Sequence, residues 1–199
     1  MADRTFSLDE PYAGLIFDCD GTLVDTAPIH FFSVNEAMRP LGFEMSREWY
    51  FARVGLTPAA LFAEFEEANG VKIDTADLSY RYGPIFTGNL DKAKEIAAVA
   101  EVARQNFGKV PMAVASNGHL KNVTATLTVT GLLPLFETIV TAEQVAKGKP
   151  EPDVFLEAAR RICVSPSDCI VFEDSDEGLE AAHRAGMRSK DIRFVHRSS

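Results

Sequence analysis

Short apolar runs alternate with amphipathic stretches along the second half of the chain, and this alternation limits the folds that are open to it. The predicted strands are AGLIF (13–17), VPMAVAS (110–116), TIV (138–140), CIVFED (169–174) and DIRFV (191–195). The helices predicted from the spacing of apolar residues are 91–107, 119–130, 151–162 and 176–185. Strands and helices in this order are typical of βαβ units. The expected fold class is therefore α/β, with a Rossmann-like parallel sheet.

The segment from 28 to 90 interrupts this pattern, because its periodicity predicts helices only. One apolar face is formed by Phe31, Val34, Met38 and Leu41. Thr57 followed by Pro58 is a helix start signal, since a hydroxyl can cap the helix and proline is favoured at its first position. We therefore expect a core domain of residues 1–27 and 91–199 and a small α-helical cap domain of residues 28–90.

Composition and charge narrow the class of protein. The 199 residues are 46% hydrophobic and 25% charged, which suits a globular protein with a real core. Apolar runs stay well short of the roughly 18 residues that cross a bilayer, and the polar N-terminal stretch lacks a signal-peptide core. A cytoplasmic protein with no membrane partner is expected, and the three cysteines form no C-x-x-C pair. The net charge of −9 argues against a nucleic-acid partner. The sequence does not indicate an oligomeric state.

Asp18 and Asp20 follow the first predicted strand, with Gly21 allowing a close turn after them. Carboxylates this close repel each other unless positive charge lies between them. A carboxylate at a strand end is a usable nucleophile toward phosphorus, because it is ionised at neutral pH. Asp18 would then form an aspartyl-phosphate, while Asp20 would protonate the leaving oxygen and afterwards activate water. A surface turn or an EF-hand fragment stays open, although Gly21 falls at the fourth loop position and not the sixth.

Three further polar clusters lie near the ends of predicted strands. Ser116 and Asn117 follow the second strand, Lys149 lies just before a helix, and Glu173 and Asp174 close the fourth strand. Ligands of open parallel sheets bind at the carboxyl ends of the strands, so all the clusters are expected at one edge. This expected convergence weighs more than any single motif.

Each cluster taken singly also has an ordinary structural explanation. Ser116 and Asn117 suit a helix N-cap, and Glu173-Asp174 suits an acidic pair stabilised by a helix dipole. Lys149 alone could be a solvated loop lysine, with Lys147 as the rival cation. The residues by themselves leave these explanations open.

Four motifs, in this order and spacing, resemble those of the haloacid dehalogenase-like superfamily and of its phosphatase branch. They are DCDGT (18–22), ASNG (115–118), KGKPEPDVF (147–155) and VFEDSDEGLEAA (171–182). The resemblance covers nearly the whole chain. Within the superfamily, the chain resembles the fructose-1-phosphate phosphatases and the β-phosphoglucomutases in particular. It implies a phosphomonoester hydrolase that acts on a small phosphorylated metabolite such as fructose 1-phosphate, with a helical cap inserted after the first strand.

The resemblance also implies roles for the matching residues. Asp18 and Asp20 would be the nucleophile and the acid–base residue, and Lys149 would neutralise charge on the phosphate and on Asp18. The residues implied to bind substrate in the core are Gly21, Thr22, Ser116 and Asn117. Asp174 would complete a cation site with Asp18 and the carbonyl of Asp20, and Glu173 would ligate directly or through water. Oxygen ligands beside a phosphate favour Mg²⁺.

His30 and Arg81 are the cap residues expected to face the substrate. Thr26 and His30 fall where the mutase-like branch has a hinge threonine and a histidine, whereas no motif selects Arg81. An arginine that the mutases carry in the cap is absent, and Pro58 stands at about that place. This departure favours a hydrolase. A β-phosphoglucomutase-like mutase and a non-catalytic binding protein of the same fold remain the alternatives.

Two other chemistries are excluded by single positions. Cysteine phosphatases use a C-x5-R motif, and the position that would hold the arginine after Cys19 holds Asp25. Dehalogenases of the same superfamily lack the second aspartate, so Asp20 favours phosphate transfer.

Overall fold

The computed structural model describes residues 6, 8, 10–54 and 56–196. Residues 195 and 196 are described by their backbone only. The described residues form two compact units. The larger unit comprises the described residues of Met1–Asp25 and Lys94–Ser199. The smaller unit comprises the described residues of Thr26–Ala93. The predicted division into a core domain of 1–27 and 91–199 and a cap domain of 28–90 stays a prediction.

The larger unit contains all the strands of the described chain. They are β1 (Gly14–Phe17), β2 (Val24–Asp25), β3 (Lys94–Glu95), β4 (Met112–Ser116), β5 (Thr138–Thr141), β6 (Cys169–Glu173) and β7 (Arg188–Asp191). Five of them form one sheet in the order β5-β4-β1-β6-β7, in which every neighbouring pair is parallel. β1, β4 and β6 are buried along their whole length, as expected for a parallel sheet covered on both faces. The predicted α/β class is confirmed.

Helices follow the strands of this sheet and fill the smaller unit. In chain order they are α1 (Ala27–Met38), α2 (Arg47–Phe51), α3 (Pro58–Asn69), α4 (Thr75–Thr87), α5 (Ala97–Asn106), α6 (Leu120–Val129), α7 (Asp153–Arg161), α8 (Asp176–Arg184) and α9 (Arg193–His196). Phe155 and Ala158 of α7 pack with Ile16 and Val171 of the sheet in one apolar cluster. None of the helices described here is both long enough and apolar enough to span a bilayer.

The smaller unit holds α1 to α4 and, among its described residues, no strand, as its periodicity predicted. α3 begins at Pro58, and the hydroxyl of Thr57 accepts a hydrogen bond from the main-chain N–H of Ala60 at 3.3 Å. This confirms the start signal read from Thr57-Pro58. The carboxamide of buried Asn35 bonds both main-chain groups of Met45, at 2.7 and 3.2 Å, and so ties the loop after α1 to the helix.

Two predicted elements are wrong in position. The strand predicted over 191–195 is β7 at Arg188–Asp191, followed by α9. β7 lies at the edge of the sheet, where an apolar run is not required. The helix α9 follows because Oδ1 of Asp191 accepts a hydrogen bond from N–H of Arg193 at 2.9 Å. The helix predicted from residue 91 begins only at Ala97, because Lys94 and Glu95 pair with the antiparallel strand β2.

Candidate active site

The carboxyl ends of β1, β4 and β6 carry the predicted polar clusters. Asp18 directly follows β1, Ser116 ends β4, and Glu173 ends β6. β4 and β6 lie on either side of β1, so the three strand ends are adjacent. The loop between β5 and α7 brings Lys149 to the same edge, with Nζ 2.7 Å from Oδ1 of Asp18 and 2.7 Å from Oε2 of Glu173.

Lys149 is a buried cation held by two buried carboxylates. Its side chain is 3% exposed, and those of Asp18 and Glu173 are 9% and 1% exposed. Burial acts to lower the pKa of Lys149, but the charges of Asp18 and Glu173 and the hydrogen bonds that they accept raise it above its ordinary value. The ammonium group also lies 4.8 Å from the ring centroid of Phe155. The two carboxylates therefore favour the charged form of Lys149.

The carboxyl group of Asp18 lies in an excess of negative charge. Burial, and then the charge of Glu173, raise its pKa well above the ordinary value; Lys149 opposes this shift, and Asp174 and Asp20 add to it. Oxygen atoms of Asp18, Glu173 and Asp174 all lie within 4.8 Å of one another. A set of hard oxygen donors with uncompensated charge fits a divalent cation such as Mg²⁺.

Glu173 has hydrogen-bond partners at both carboxylate oxygens. Oε2 accepts from Lys149, while Oε1 accepts from the main-chain N–H groups of Asp174 and Ser175, at 3.1 and 3.0 Å, and from the hydroxyl of Ser175 at 2.8 Å. A Cβ placed on Gly178 would lie 2.0 Å from this carboxylate. Glu173 thus anchors Lys149 above the first turn of α8, and its predicted ligation of a metal stays a prediction.

Gly21 and Thr22 both contact Asp174. The hydroxyl of Thr22 donates to Oδ1 of Asp174 at 2.8 Å. Gly21 has φ +92°, and a Cβ there would lie 2.3 Å from Oδ2 of Asp174, so the turn passes too close to the carboxylate for any side chain. The sequence did not indicate that these residues position Asp174, and substrate binding by Gly21 and Thr22 stays a prediction.

The turn after β4 lies beside Asp20. The hydroxyl of buried Ser116 accepts a hydrogen bond from N–H of Gly118 at 2.9 Å. A Cβ on Gly118 would lie 3.2 Å from this hydroxyl oxygen and 3.4 Å from Oδ2 of Asp20. The next side chain, Asn117, is directed to the main chain of Lys149. The structure therefore brings Asp18, Asp20, Ser116, Asn117, Lys149, Glu173 and Asp174 together at one edge of the sheet.

A family model described as haloacid dehalogenase-like hydrolase matches residues 15–191. The chain belongs to the haloacid dehalogenase-like hydrolases. This confirms the membership predicted from the four motifs, and it makes the protein an enzyme of the hydrolase class.

Several named proteins and one solved structure are similar to this chain. The fructose-1-phosphate phosphatase YqaB of Escherichia coli is 34% identical over 186 residues, which are 94% of this chain and 99% of that protein. The β-phosphoglucomutase of Bacillus subtilis is 28% identical over 182 residues, 87% of this chain and 80% of the mutase. The crystal structure of CbbY from Rhodobacter sphaeroides in complex with phosphate superimposes with a TM-score of 0.81 at 27% identity, over 89% of this chain and 84% of CbbY.

The two predicted cap residues lie in the smaller unit, apart in sequence from the haloacid dehalogenase-like motifs. Nδ1 of His30 is hydrogen-bonded to the hydroxyl of Tyr82, and its ring stacks on Phe86 with centroids 4.5 Å apart. Arg81 forms an exposed ion pair with Asp77 at 2.8 Å, one turn away on α4. Substrate binding by His30 and Arg81 stays a prediction.

Three residues of the haloacid dehalogenase-like site were not singled out from the sequence. Ser175 caps α8 by accepting from N–H of Gly178 at 3.0 Å, and its place between a strand and a helix could have indicated this. Phe155 and Gly178 lie inside the matched motifs, six residues after Lys149 and five after Glu173, but spacing alone does not show that they pack against those side chains.

Proposed function

We propose that this hydrolase is a Mg²⁺-dependent phosphatase that hydrolyses small sugar-phosphate monoesters, such as fructose 1-phosphate, through an aspartyl-phosphate on Asp18. One observation carries the proposal: the buried ammonium group of Lys149 lies 2.7 Å from the carboxylate of Asp18. A fixed positive charge beside a carboxylate suits the transfer of a dianionic group, because preorganised charge stabilises the transition state most strongly where water is excluded.

In the first step, a carboxylate oxygen of Asp18 forms a bond to phosphorus, and the bond between phosphorus and the sugar oxygen breaks. Asp20 gives its proton to the departing sugar oxygen. The first step therefore requires Asp20 to carry a proton when the substrate binds. Lys149 stays charged throughout and offsets the negative charge shared by Asp18 and the phosphoryl group.

In the second step, Asp20 takes a proton from a water molecule, whose oxygen then attacks the phosphorus of the aspartyl-phosphate. The bond between phosphorus and Asp18 breaks, so that inorganic phosphate leaves and the Asp18 carboxylate is restored. Ser116, with its hydroxyl at the end of β4, is the residue we assign to the phosphoryl oxygens, together with main-chain N–H groups of the following turn.

Asp18, Asp174 and the main-chain carbonyl of Asp20 are the groups that would hold Mg²⁺. The bound ion supplies positive charge that offsets both the clustered carboxylates and the phosphate. Thr22 and Gly21 support this assignment, since the hydroxyl of Thr22 donates to Asp174 and the turn at Gly21 lies against the Asp174 carboxylate.

The sugar class is supported by similarity to a fructose-1-phosphate phosphatase over nearly the whole chain. We assign selection of the sugar to the helical unit, Thr26–Ala93, in which His30 and Arg81 are the candidates. α3 starts at Pro58, at about the place where the mutases carry an arginine, and this departure supports hydrolysis over transfer to a second hydroxyl.

The proposal is tested by incubating the protein with Mg²⁺ and a panel of sugar phosphates, and measuring both released phosphate and isomerised sugar. Release from several sugars, with fructose 1-phosphate among the best, is expected. Interconversion of glucose 1-phosphate and glucose 6-phosphate without release would instead indicate a mutase. Inertness toward every compound of the panel, with Mg²⁺ present, would overturn the proposal in favour of a binding protein.

A further inference from the structure

We infer that Asn117 is a positioning residue that acts through Lys149, by holding the main chain of the loop that carries this lysine. The inference rests on the proposed function, because it concerns how the cation beside Asp18 is kept in place. It assigns the Asn117 side chain a role other than the substrate contact that its motif predicts.

Asn117 and Lys149 are joined by two hydrogen bonds that use both ends of the carboxamide. Oδ1 of Asn117 accepts from the main-chain N–H of Lys149 at 2.8 Å, and Nδ2 donates to the main-chain carbonyl of the same residue at 3.1 Å. Both peptide groups that flank the lysine Cα are thereby fixed. An amide side chain offers a donor and an acceptor on two separate atoms, whereas an ionised aspartate offers acceptors only.

Gly148 gives independent evidence that the loop is pressed against this carboxamide. A Cβ built on Gly148 would lie 2.5 Å from Oδ1 of Asn117 and 3.1 Å from Cβ of Ala142. Contacts below 3.0 Å force a shift, so the residue before the lysine has room for hydrogen only while Asn117 is in place. The sequence Gly148-Lys149 and the side chain of Asn117 therefore form one fitted unit.

The reaction itself explains why a main-chain anchor is useful. Lys149 lies in a loop between β5 and α7 and reaches the site on a flexible stem. One of its two carboxylate partners, Asp18, loses its negative charge when it carries the phosphoryl group. The hydrogen bonds from Asn117 do not change during this step, so they hold the lysine backbone while its side-chain partners change.

The test compares Asn117→Ala, Gly148→Ala and the double variant with wild type, using fructose 1-phosphate or the best sugar phosphate of the panel. Asn117→Ala is expected to lower kcat by about 10- to 100-fold with little change in KM, since displacement of a catalytic group by about 1 Å has effects of this size. Gly148→Ala should lower kcat similarly, because its Cβ displaces the carboxamide. In the Asn117→Ala background, Gly148→Ala should cost little more.

Two further measurements separate positioning from a general structural role. The main-chain amide of Lys149 should exchange its hydrogen faster in Asn117→Ala than in wild type, while amides of the sheet keep their protection. In a Lys149→Met background, Asn117→Ala should cause no further loss of kcat. Asn122→Ala, on the adjacent helix α6, serves as the matched control and should keep kcat.

Several results would overturn the inference. A rise in KM with kcat unchanged would show that Asn117 binds substrate directly, and additive losses in either double variant would show that it does not act through Gly148-Lys149. If the wild type is active and Asn117→Ala is fully active too, the inference is overturned but the proposed function is not. A wild type inert toward the whole panel overturns the proposed function, and the catalytic part of this inference with it.

Discussion

The side-chain nitrogen of Lys149 and Oδ1 of Asp18 lie 2.7 Å apart although 131 positions separate them in the chain. Both side chains are less than a tenth exposed. The contact joins the end of the central strand β1 to the loop before α7, so the charge that we propose to act in catalysis is also part of the core packing. Removal of the Lys149 charge is therefore expected to lower activity and stability together.

Lys149→Met is expected to lower kcat on the order of 10² to 10³-fold, because it removes the fixed charge beside the reacting phosphate. It should also lower the free energy of unfolding by about 3 kcal/mol or more, since it leaves Asp18 and Glu173 buried without their cation. Steady-state kinetics and denaturant unfolding check both effects. Lys147→Met is the matched control: Lys147 is exposed in the same loop, and both quantities should stay near wild type.

Asp18→Asn is expected to lower kcat on the order of 10⁴-fold or more, because the amide cannot act as the nucleophile. Its thermal midpoint in EDTA should be unchanged or higher than that of wild type. The folded-state pKa of Asp18 is raised by burial and by Glu173. The Asp18 carboxyl group therefore contributes most to the stability of the protein at a pH below its pKa in the unfolded chain. This contribution is lost as the pH rises through its pKa in the folded protein.

Asparagine does not titrate, so the stability advantage of Asp18→Asn in EDTA should grow from acidic to neutral pH. Thermal unfolding at a series of pH values measures this difference. A large loss of stability at neutral pH would mean that Asp18 serves the fold rather than the reaction.

Mg²⁺ is expected to raise the thermal midpoint of the wild-type protein, because a ligand that binds only the folded state stabilises it by about 2.7 kcal/mol at 100 times its Kd. Asp174→Asn should abolish most of this rise, since Asp174 lies in the acidic cluster with Asp18. Asp176→Asn removes an exposed charge from the start of the following helix and should retain the rise. An equal response of both variants to Mg²⁺ would contradict the proposed ion site.

Gly178→Ala is expected to lower the free energy of unfolding by about 1–3 kcal/mol, although alanine normally favours a helix. Its Cβ would lie 2.0 Å from the Glu173 carboxylate, which is buried and fully hydrogen-bonded. Displacing that carboxylate should also reduce kcat through Lys149. Denaturant unfolding and steady-state kinetics measure the two losses.

Gly83→Ala, also within a helix, is the control for this change. A Cβ on Gly83 would meet no atom within 4 Å beyond its chain neighbours and its own helix backbone, although Pro84 follows it, so alanine there should cost less stability than Gly178→Ala. If both alanine variants gained stability, close packing of Glu173 on Gly178 would be refuted.

The parts of the fold that the sequence predicted well are those in which burial and periodicity agree. β1, β4 and β6 are covered on both faces, so their residues form the short apolar runs that reveal a central strand. β7 was misplaced because an edge strand of alternating exposure, with the sequence RSKD, carries no such run. The apolar residues that follow it belong partly to α9.

The candidate site was predictable where its residues occupy strand ends, because the order of a parallel sheet places those ends at one edge. Asp18, Ser116 and Glu173 were found in this way, whereas Lys149 was selected from the sequence KPEPD just before a helix. The bonds from Asn117 to Lys149 depend on how two loops pass each other in space, which spacing along the chain does not encode.

The antiparallel ribbon of β2 and β3 pairs Asp25 with Lys94, at the two points where the chain leaves the larger unit and returns to it. Whatever lies between these points begins and ends side by side, and the entropy of closing a loop grows only slowly with its length. The chain could therefore exchange this inserted segment for a longer, shorter or unrelated one at little energetic expense. In evolution, such a junction would let substrate preference diverge while the hydrolytic apparatus is inherited intact.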